Sequence, residues 1–253
     1  MIPAMTFPMP RVATLATLML LLVSGLPPLA RAALPFEDTM AQRTLACSAC
    51  HGAQGRAGPD GYYPRIAGKP AGYLYNQLVN FRDGRRHYGL MTRMVDPLSN
   101  AYLMEIAQHF AALDLPYPAP QPATSPLAVL LRGEQLARHG DAARRVPACT
   151  ACHGAALTGV LPGVPGLLGL PRDYLNAQLG AWATQQRRAH APDCMAQIVE
   201  RLKPDDVTAV ASWLAAQPLP ANTKPAAARP AAMPLDCGSA PDPLAARSGA
   251  AVR

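Results

Sequence analysis

The sequence predicts an all-α chain made of two tandem copies of one small domain, and three observations carry that prediction. A fifteen-residue block, Pro64-Arg-Ile-Ala-Gly68-Lys-Pro70-Ala-Gly-Tyr73-Leu74-Tyr-Asn-Gln77-Leu78, realigns with Pro165-Gly-Leu-Leu-Gly169-Leu-Pro171-Arg-Asp-Tyr174-Leu175-Asn-Ala-Gln178-Leu179. Seven of the fifteen positions are identical at a constant offset of 101, the mark of an internal duplication. Within the first block Tyr73, Leu74, Gln77, Leu78 and Phe81 recur at three-to-four spacing, which gives one mostly apolar helical face. Alternating apolar and polar runs of the strand type are scarce.

Taken in order, residues 1–32 contain no Asp or Glu. Arg11 precedes an apolar run from Val12 to Leu26, and Ala30-Arg31-Ala32 supplies small residues at a cleavage site. This predicts a secretory signal peptide, with an uncleaved anchor as the alternative. The first domain then occupies 33–114. It has a short helix over about 36–49, a Gly/Pro-rich loop, and a helix opening at Pro70, where the missing N–H costs little. A loop carrying methionine follows, and a last helix runs from near Ser99 to Leu113. Residues 115–126 hold five prolines and read as a semi-rigid linker. The second domain, 127–217, repeats the order, with a first helix over about 127–139 and a last one from Lys203-Pro204-Asp205-Asp206 to Gln217. Residues 218–253 form a Pro/Ala-rich tail with few large apolar side chains.

The chemistry is carried by Cys47-Ser-Ala-Cys50-His51 and Cys149-Thr-Ala-Cys152-His153. A Cys-x-x-Cys alone would fit a dithiol or half a zinc site. The histidine directly after the second cysteine selects another chemistry: two thiols add to the vinyl groups of a haem, and the adjacent imidazole reaches the iron. Two copies imply two covalently bound haem c groups. Such attachment takes place outside the cytoplasm, which agrees with the leader and places the mature chain in the periplasm.

For the sixth iron ligand the repeat is the guide. After a three-residue insertion Met91 pairs with Met195, each eight residues before the start of a last helix, at Ser99 and Lys203. Met94 and Met104 have no counterpart. His87 and His190 lie nearby and are the competing ligands. Thioether ligation raises the potential of a haem relative to bis-histidine ligation, which suits a carrier. Cys194 and Cys237 remain once the haem cysteines are assigned. In an oxidising compartment they could form a disulfide; two unpaired thiols, or Cys194 near the iron, are the alternatives.

The formal charge of +7 overstates any attraction for polyanions, because the leader removes Arg11 and Arg31 and two haems add up to four propionates. Lys and Arg are also spread out rather than clustered, so no nucleic-acid partner is expected. Contact of the basic tail with a membrane surface stays open as a peripheral association. Arg85, Arg86, Arg93, Arg187 and Arg188 could steer acidic partners.

In order, CxxCH, then P-R-I-A-G-K-P-x-x-Y-L-x-x-Q-L, then M-T-R-M-V-D-P-L-S, twice over in one secreted chain, this sequence resembles the dihaem cytochrome c4 family across most of residues 36–217. The resemblance implies two class I cytochrome c domains, each wrapped around one haem with His/Met ligation, facing each other with neighbouring propionates. It also implies that the carbonyls of Pro64 and Pro165 accept a hydrogen bond from Nδ1 of His51 and His153, and that the helix ending each domain packs on those carrying the CxxCH motifs. The second repeat departs from the pattern with Gly-Leu-Leu for Arg-Ile-Ala and with Asp193-Cys194-Met195; the tail is additional.

The function expected is single-electron transfer. Electrons would come from a quinol-oxidising complex or a dehydrogenase and pass to a terminal oxidase or other acceptor. A dedicated haem subunit of a dehydrogenase complex is one alternative. A dihaem peroxidase is another, although a methionine candidate stands at both sites and no distal acid–base pair is evident.

Overall fold

The duplicated block and its flanks fold into matching helices, seen in a computed structural model that describes residues 37–58, 60–228 and 231–240. The leader expected at 1–32 lies outside the described residues. Helix α1 (Met40–Arg43) and α2 (Leu45–His51) are followed by a 3₁₀ turn at Ala53–Gly55, then α3 (Ala71–Arg82), α4 (Gly89–Val95) and α5 (Asn100–Ala112). The second half has α6 (Leu127–Arg138), a 3₁₀ turn at Ala142–Arg144, α7 (Cys149–His153), α8 (Arg172–Ala183), α9 (Cys194–Arg201) and α10 (Pro204–Ala216). Between α7 and α8 a small antiparallel hairpin pairs β1 (Gly159–Val160) with β2 (Val164–Pro165), in register Gly159 with Pro165 and Val160 with Val164.

Two local expectations are corrected. The helix expected over 36–49 is broken at Thr44, whose hydroxyl, 2% exposed, donates to the Met40 carbonyl at 2.7 Å; side-chain bonding of this kind competes with the helical ladder. In the second half the first helix, expected over about 127–139, is found at Leu127–Arg138. Asp141 and Val146 bridge between α6 and α7. The methionine segments are helices, not loops. Asp193 caps α9, its Oδ1 accepting from the Ala196 N–H at 3.0 Å.

Each last helix is seated by its first turn. Ser99 Oγ accepts from the Tyr102 N–H at 3.2 Å, and Asp206 Oδ2 accepts from the Lys203 N–H at 3.0 Å. In the second half α10 crosses α6, the helix preceding the motif, at Gly133. A Cβ there would strike the Ala209 carbonyl and lie 2.6 Å from Trp213 Cβ, so only glycine allows this approach. In the first half α5 packs chiefly on α3 and also touches α1.

The first-half core divides into Leu74, Ile106, Ala107 and Phe110, and a second group of Val79, Phe81, Val95 and Leu103 against which Met91 packs. The second-half core gathers Leu136, Val146, Leu157, Leu168, Leu170, Leu175, Val210, Trp213 and Leu214. The described residues from Asp38 onward nevertheless make one compact unit. The proline-rich connection is packed rather than loose: Arg65 donates to the Leu115 and Pro116 carbonyls at 2.5 and 2.9 Å and stacks 3.9 Å from the Tyr117 ring centroid.

The tail also rests on the body. Ala226 bridges to Val160 beside the hairpin, donating to the Gly159 carbonyl at 2.9 Å and accepting from the Leu161 N–H at 2.8 Å. Further on, a disulfide joins Cys237 to Cys194, and the Ser239 carbonyl accepts from Asn76 Nδ2 at 2.8 Å.

Candidate functional site

Helices α2 and α7 end on His51 and His153, both buried. The following glycines, Gly52 and Gly154, take φ of +75° and +85°, a region that favours glycine, and the chain turns away to bring a proline carbonyl back to each ring. His51 Nδ1 lies 2.8 Å from the Pro64 carbonyl oxygen and His153 Nδ1 lies 2.7 Å from that of Pro165. A carbonyl can only accept, so Nδ1 carries the proton and Nε2 keeps its lone pair for a metal. Burial holds both imidazoles below their ordinary pKa, against the pull of those carbonyls; Arg86 adds to the lowering at His51 and Lys69 at His153. Both effects favour the neutral imidazole, the form in which a histidine can ligate a metal.

A cavity of about 1290 Å³ runs through both halves, larger than the space a single small-molecule site offers. Its wall includes Cys47, Cys50, His51 and Met91 from the first half and Cys149, Cys152, His153 and Met195 from the second. His87, His190, Met94 and Met233 also reach it. His87 is exposed, whereas Met91 is half-buried and packed on the Phe81 group. Burial pushes the Cys149 thiol up to about 11 and that of Cys47 up as well. The disulfide takes Cys194 and Cys237, leaving the four motif sulfurs on the cavity wall. Among the described residues no group of three or more His, Cys, Asp or Glu could hold a metal ion.

The two halves meet through equivalent residues. Arg86 and Arg187 form an antiparallel bridge. Arg86 donates to Gln77 and Gln178 at 2.9 and 2.6 Å, and Arg187 donates to the same two oxygens at 3.0 and 2.8 Å. Arg86 stacks on Phe81 and Arg187 on Trp182, at 4.5 and 3.9 Å from the ring centroids. The contact is thus two-fold in character, like an isologous dimer interface. Burial pushes the Tyr73 hydroxyl up, yet Arg187 and Arg86 outweigh it and hold it below its ordinary pKa. The expectation that Arg86 and Arg187 steer partners from the surface is overturned. Arg187 is 5% exposed, and the arginines are spent on the junction.

Sequence reasoning aligned Gln77 with Gln178 and Tyr73 with Tyr174 but treated them as helix faces. That the same residues repeat as polar groups on an otherwise apolar stripe was the available signal. Arg65 and Lys69, both buried, were missed as cavity residues.

These cations test whether the cavity fits haem. Arg65, Lys69, Arg86 and Arg187 all line it, and among the described residues none of them forms an ion pair with a carboxylate. Arg65, Lys69 and Arg187 are buried and Arg86 half-buried; leaving a charge buried and unpaired costs several kcal/mol, so this wall calls for anions. Two haems bring four carboxylates, apolar rings and vinyl groups for four thiols, and the residues present fit them.

An all-α chain with two such attachment motifs facing one apolar, cation-lined cavity is a dihaem c-type cytochrome, an electron-transfer protein with two covalently bound haem c groups. The chain is 39% identical over 223 residues to the thiosulfate dehydrogenase electron acceptor of Thiomonas intermedia, covering 88% of this chain and 97% of that one. It is 33% identical to cytochrome c4 of Pseudomonas aeruginosa, over 77% and 94% of the two chains. The crystal structure of reduced cytochrome c4 from Pseudomonas stutzeri superposes with a TM-score of 0.61 at 30% identity, over 70% of this chain and 96% of that one. No protein-family model matches the chain. The chain belongs to the cytochrome c4 family. Among the described residues no helix is long and apolar enough to cross a membrane.

Proposed function

We propose that this protein is a periplasmic carrier that takes single electrons from a sulfur-compound dehydrogenase and passes them to a terminal oxidase or another acceptor. In this reading residues 33–114 and 127–217 are two cytochrome domains. Cys47, Cys50, His51 and Met91 hold one haem, and Cys149, Cys152, His153 and Met195 hold the other. When bound, each haem supplies one-electron iron chemistry.

The observation that carries the reading is the shared cavity, with a proline-anchored neutral imidazole and an equivalent methionine from each half on its wall. The chain's residues do the rest. Pro64 and Pro165 orient the rings, and the apolar packing around Met91 excludes water. The Arg86–Arg187 junction holds the two sites against each other, so an electron entering one half can leave from the other. The dehydrogenase as donor is supported by the name of the 39% identical relative; a quinol-oxidising complex is the other expected donor.

The test is rapid mixing of the oxidised holo-protein with thiosulfate dehydrogenase and thiosulfate. Thiosulfate-dependent reduction of both haems at catalytic dehydrogenase concentration is expected. Reduction only by a quinol-oxidising complex would overturn the choice of donor. The relative's name also favours a second reading, a subunit permanently bound to its dehydrogenase. Co-purification of a stoichiometric complex would select it over the diffusing carrier.

A further inference from the structure

The buried charge of Lys69 has no counterpart in the other half. Lys69 is 5% exposed and belongs to the first repeat, yet its Nζ donates to the carbonyl of Gly166, at 3.2 Å, in the second. Gly166 directly follows Pro165, whose own carbonyl lies 2.7 Å from Nδ1 of His153. The first half therefore places an ammonium against the loop that orients the second half's proximal histidine. The reciprocal position, Leu170 at the offset of 101, is apolar and buried in the second-half core. The second half thus has no lysine at the equivalent position to send back toward Pro64.

The surroundings of Lys69 are neutral or positive. Its Nζ lies 6.0 Å from the Tyr117 ring centroid, and Arg65 stacks on the same ring at 3.9 Å. Among the described residues no carboxylate pairs with either cation. Burial, then Arg65, lowers Lys69 to about 8, so the group is still largely protonated at neutral pH.

We propose that Lys69 is a positioning and tuning residue contributed by the first half to the second redox centre, raising that centre's reduction potential above what its ligands alone would set. The inference rests on the haem assignment given under the proposed function. A fixed positive charge favours whichever state of a one-electron centre carries one positive charge fewer, and a low-dielectric interior screens that preference weakly. The same hydrogen bond holds the Pro165–Gly166 loop against His153, so Lys69 acts through that loop rather than as a ligand. Two centres with matching ligand sets would then differ in potential, giving electrons a preferred resting place in the second half.

The experiment is site-resolved potentiometry of the holo-protein, with each haem assigned by its NMR haem-methyl resonances, for wild type, Lys69→Met, Lys69→Gln and Lys69→Arg. The neutral variants should lower the second centre's potential by about tenfold in its one-electron equilibrium, about 59 mV, and leave the first nearly unmoved. Lys69→Arg should restore most of the shift. Unchanged potentials, or equal shifts at both centres, overturn the proposal even where thermal stability falls, because a purely structural contact would lower stability without singling out one potential. The far-red band of methionine-ligated ferric haem, recorded on the same samples, reports the ligand assignment separately: its absence from wild type would sink that assignment, while the Lys69 result is still read from the two potentials.

Discussion

The two methionine helices occupy equivalent points of the repeat and are held in different ways. In the first half α4 sits on a packed floor: Val79 and Phe81 of α3 are buried beneath it, and Met91 rests against them. Its outer side is open, with Leu90 50% and Met94 46% exposed. In the second half the residues equivalent to Val79 and Phe81 are Gly180 and Trp182, and Leu175 is the one residue of α8 that is buried. There α9 is secured from outside. Asp193 accepts from the Ala189 N–H at 2.7 Å and from Trp182 Nε1 at 3.2 Å as well as capping the helix, and Cys194 is bonded to Cys237 of the tail. Met233 and Leu235 of that tail then join the cavity wall. Where side-chain volume under a methionine helix is missing, covalent and polar ties from above take its place. A methionine helix can be fixed by the core beneath it or by a strap across it.

The largest effect should come from the two proposed methionine ligands. Met91→Leu and Met195→Leu should each remove about half of the far-red methionine band and sharply lower the potential of the affected site, whereas His87→Ala and His190→Ala should leave the band intact. If a histidine variant removes it instead, the two halves differ in ligand and not only in how the ligand is held.

Next comes the strap. Replacing Cys194 and Cys237 together by serine opens a loop with a sequence separation of 43 and should lower unfolding stability by about 3–4 kcal/mol. The loss should appear in the second half, seen as faster amide exchange in α9 while α4 is unchanged. Equal loosening of both helices would show that the strap stabilises the whole molecule rather than standing in for a missing floor.

The smallest effect is acidic. Arg132 and Arg144 both bond Asp141 and Asp206, tying α6 to the start of α10 in the second half. For Asp206, burial pushes the carboxyl up, but the hydrogen bonds from Arg144 and Arg132 outweigh it and hold it down at about 2; the same arginines hold Asp141 well below the usual range. A carboxylate depressed in the folded state contributes stability above its unfolded pKa, about 4, and loses it as pH falls toward about 2. Amide exchange across that window should rise in α6 and α10 before α5. The gain is modest, because the arginines are partly exposed to solvent. Simultaneous loosening of both halves would remove this distinction between them.

Much of this was legible in one dimension because covalent chemistry and duplication are local. Cys-x-x-Cys-His needs its residues adjacent in sequence, and a repeat shows its equivalent methionines by offset alone, whatever the chain does between them. The caps at Ser99 and Asp206 were readable for the same reason, since a helix start is settled within four residues. What was not readable depends on which surfaces meet. The break at Thr44 comes from one hydroxyl finding a backbone carbonyl. Arg187 sits in a charged run that reads as solvated, yet the pairing of the halves buries it against Gln77 and Trp182. Lys69 looks like an ordinary helix-approach lysine until folding carries it to Gly166, 97 residues away. The sequence by itself determined the haem chemistry, the ligand candidates and the twofold plan. Only the tertiary structure decided which charges are buried, which half carries the strap and which centre receives the extra cation, because burial and charge proximity are properties of surfaces brought together and no spacing along the chain encodes them.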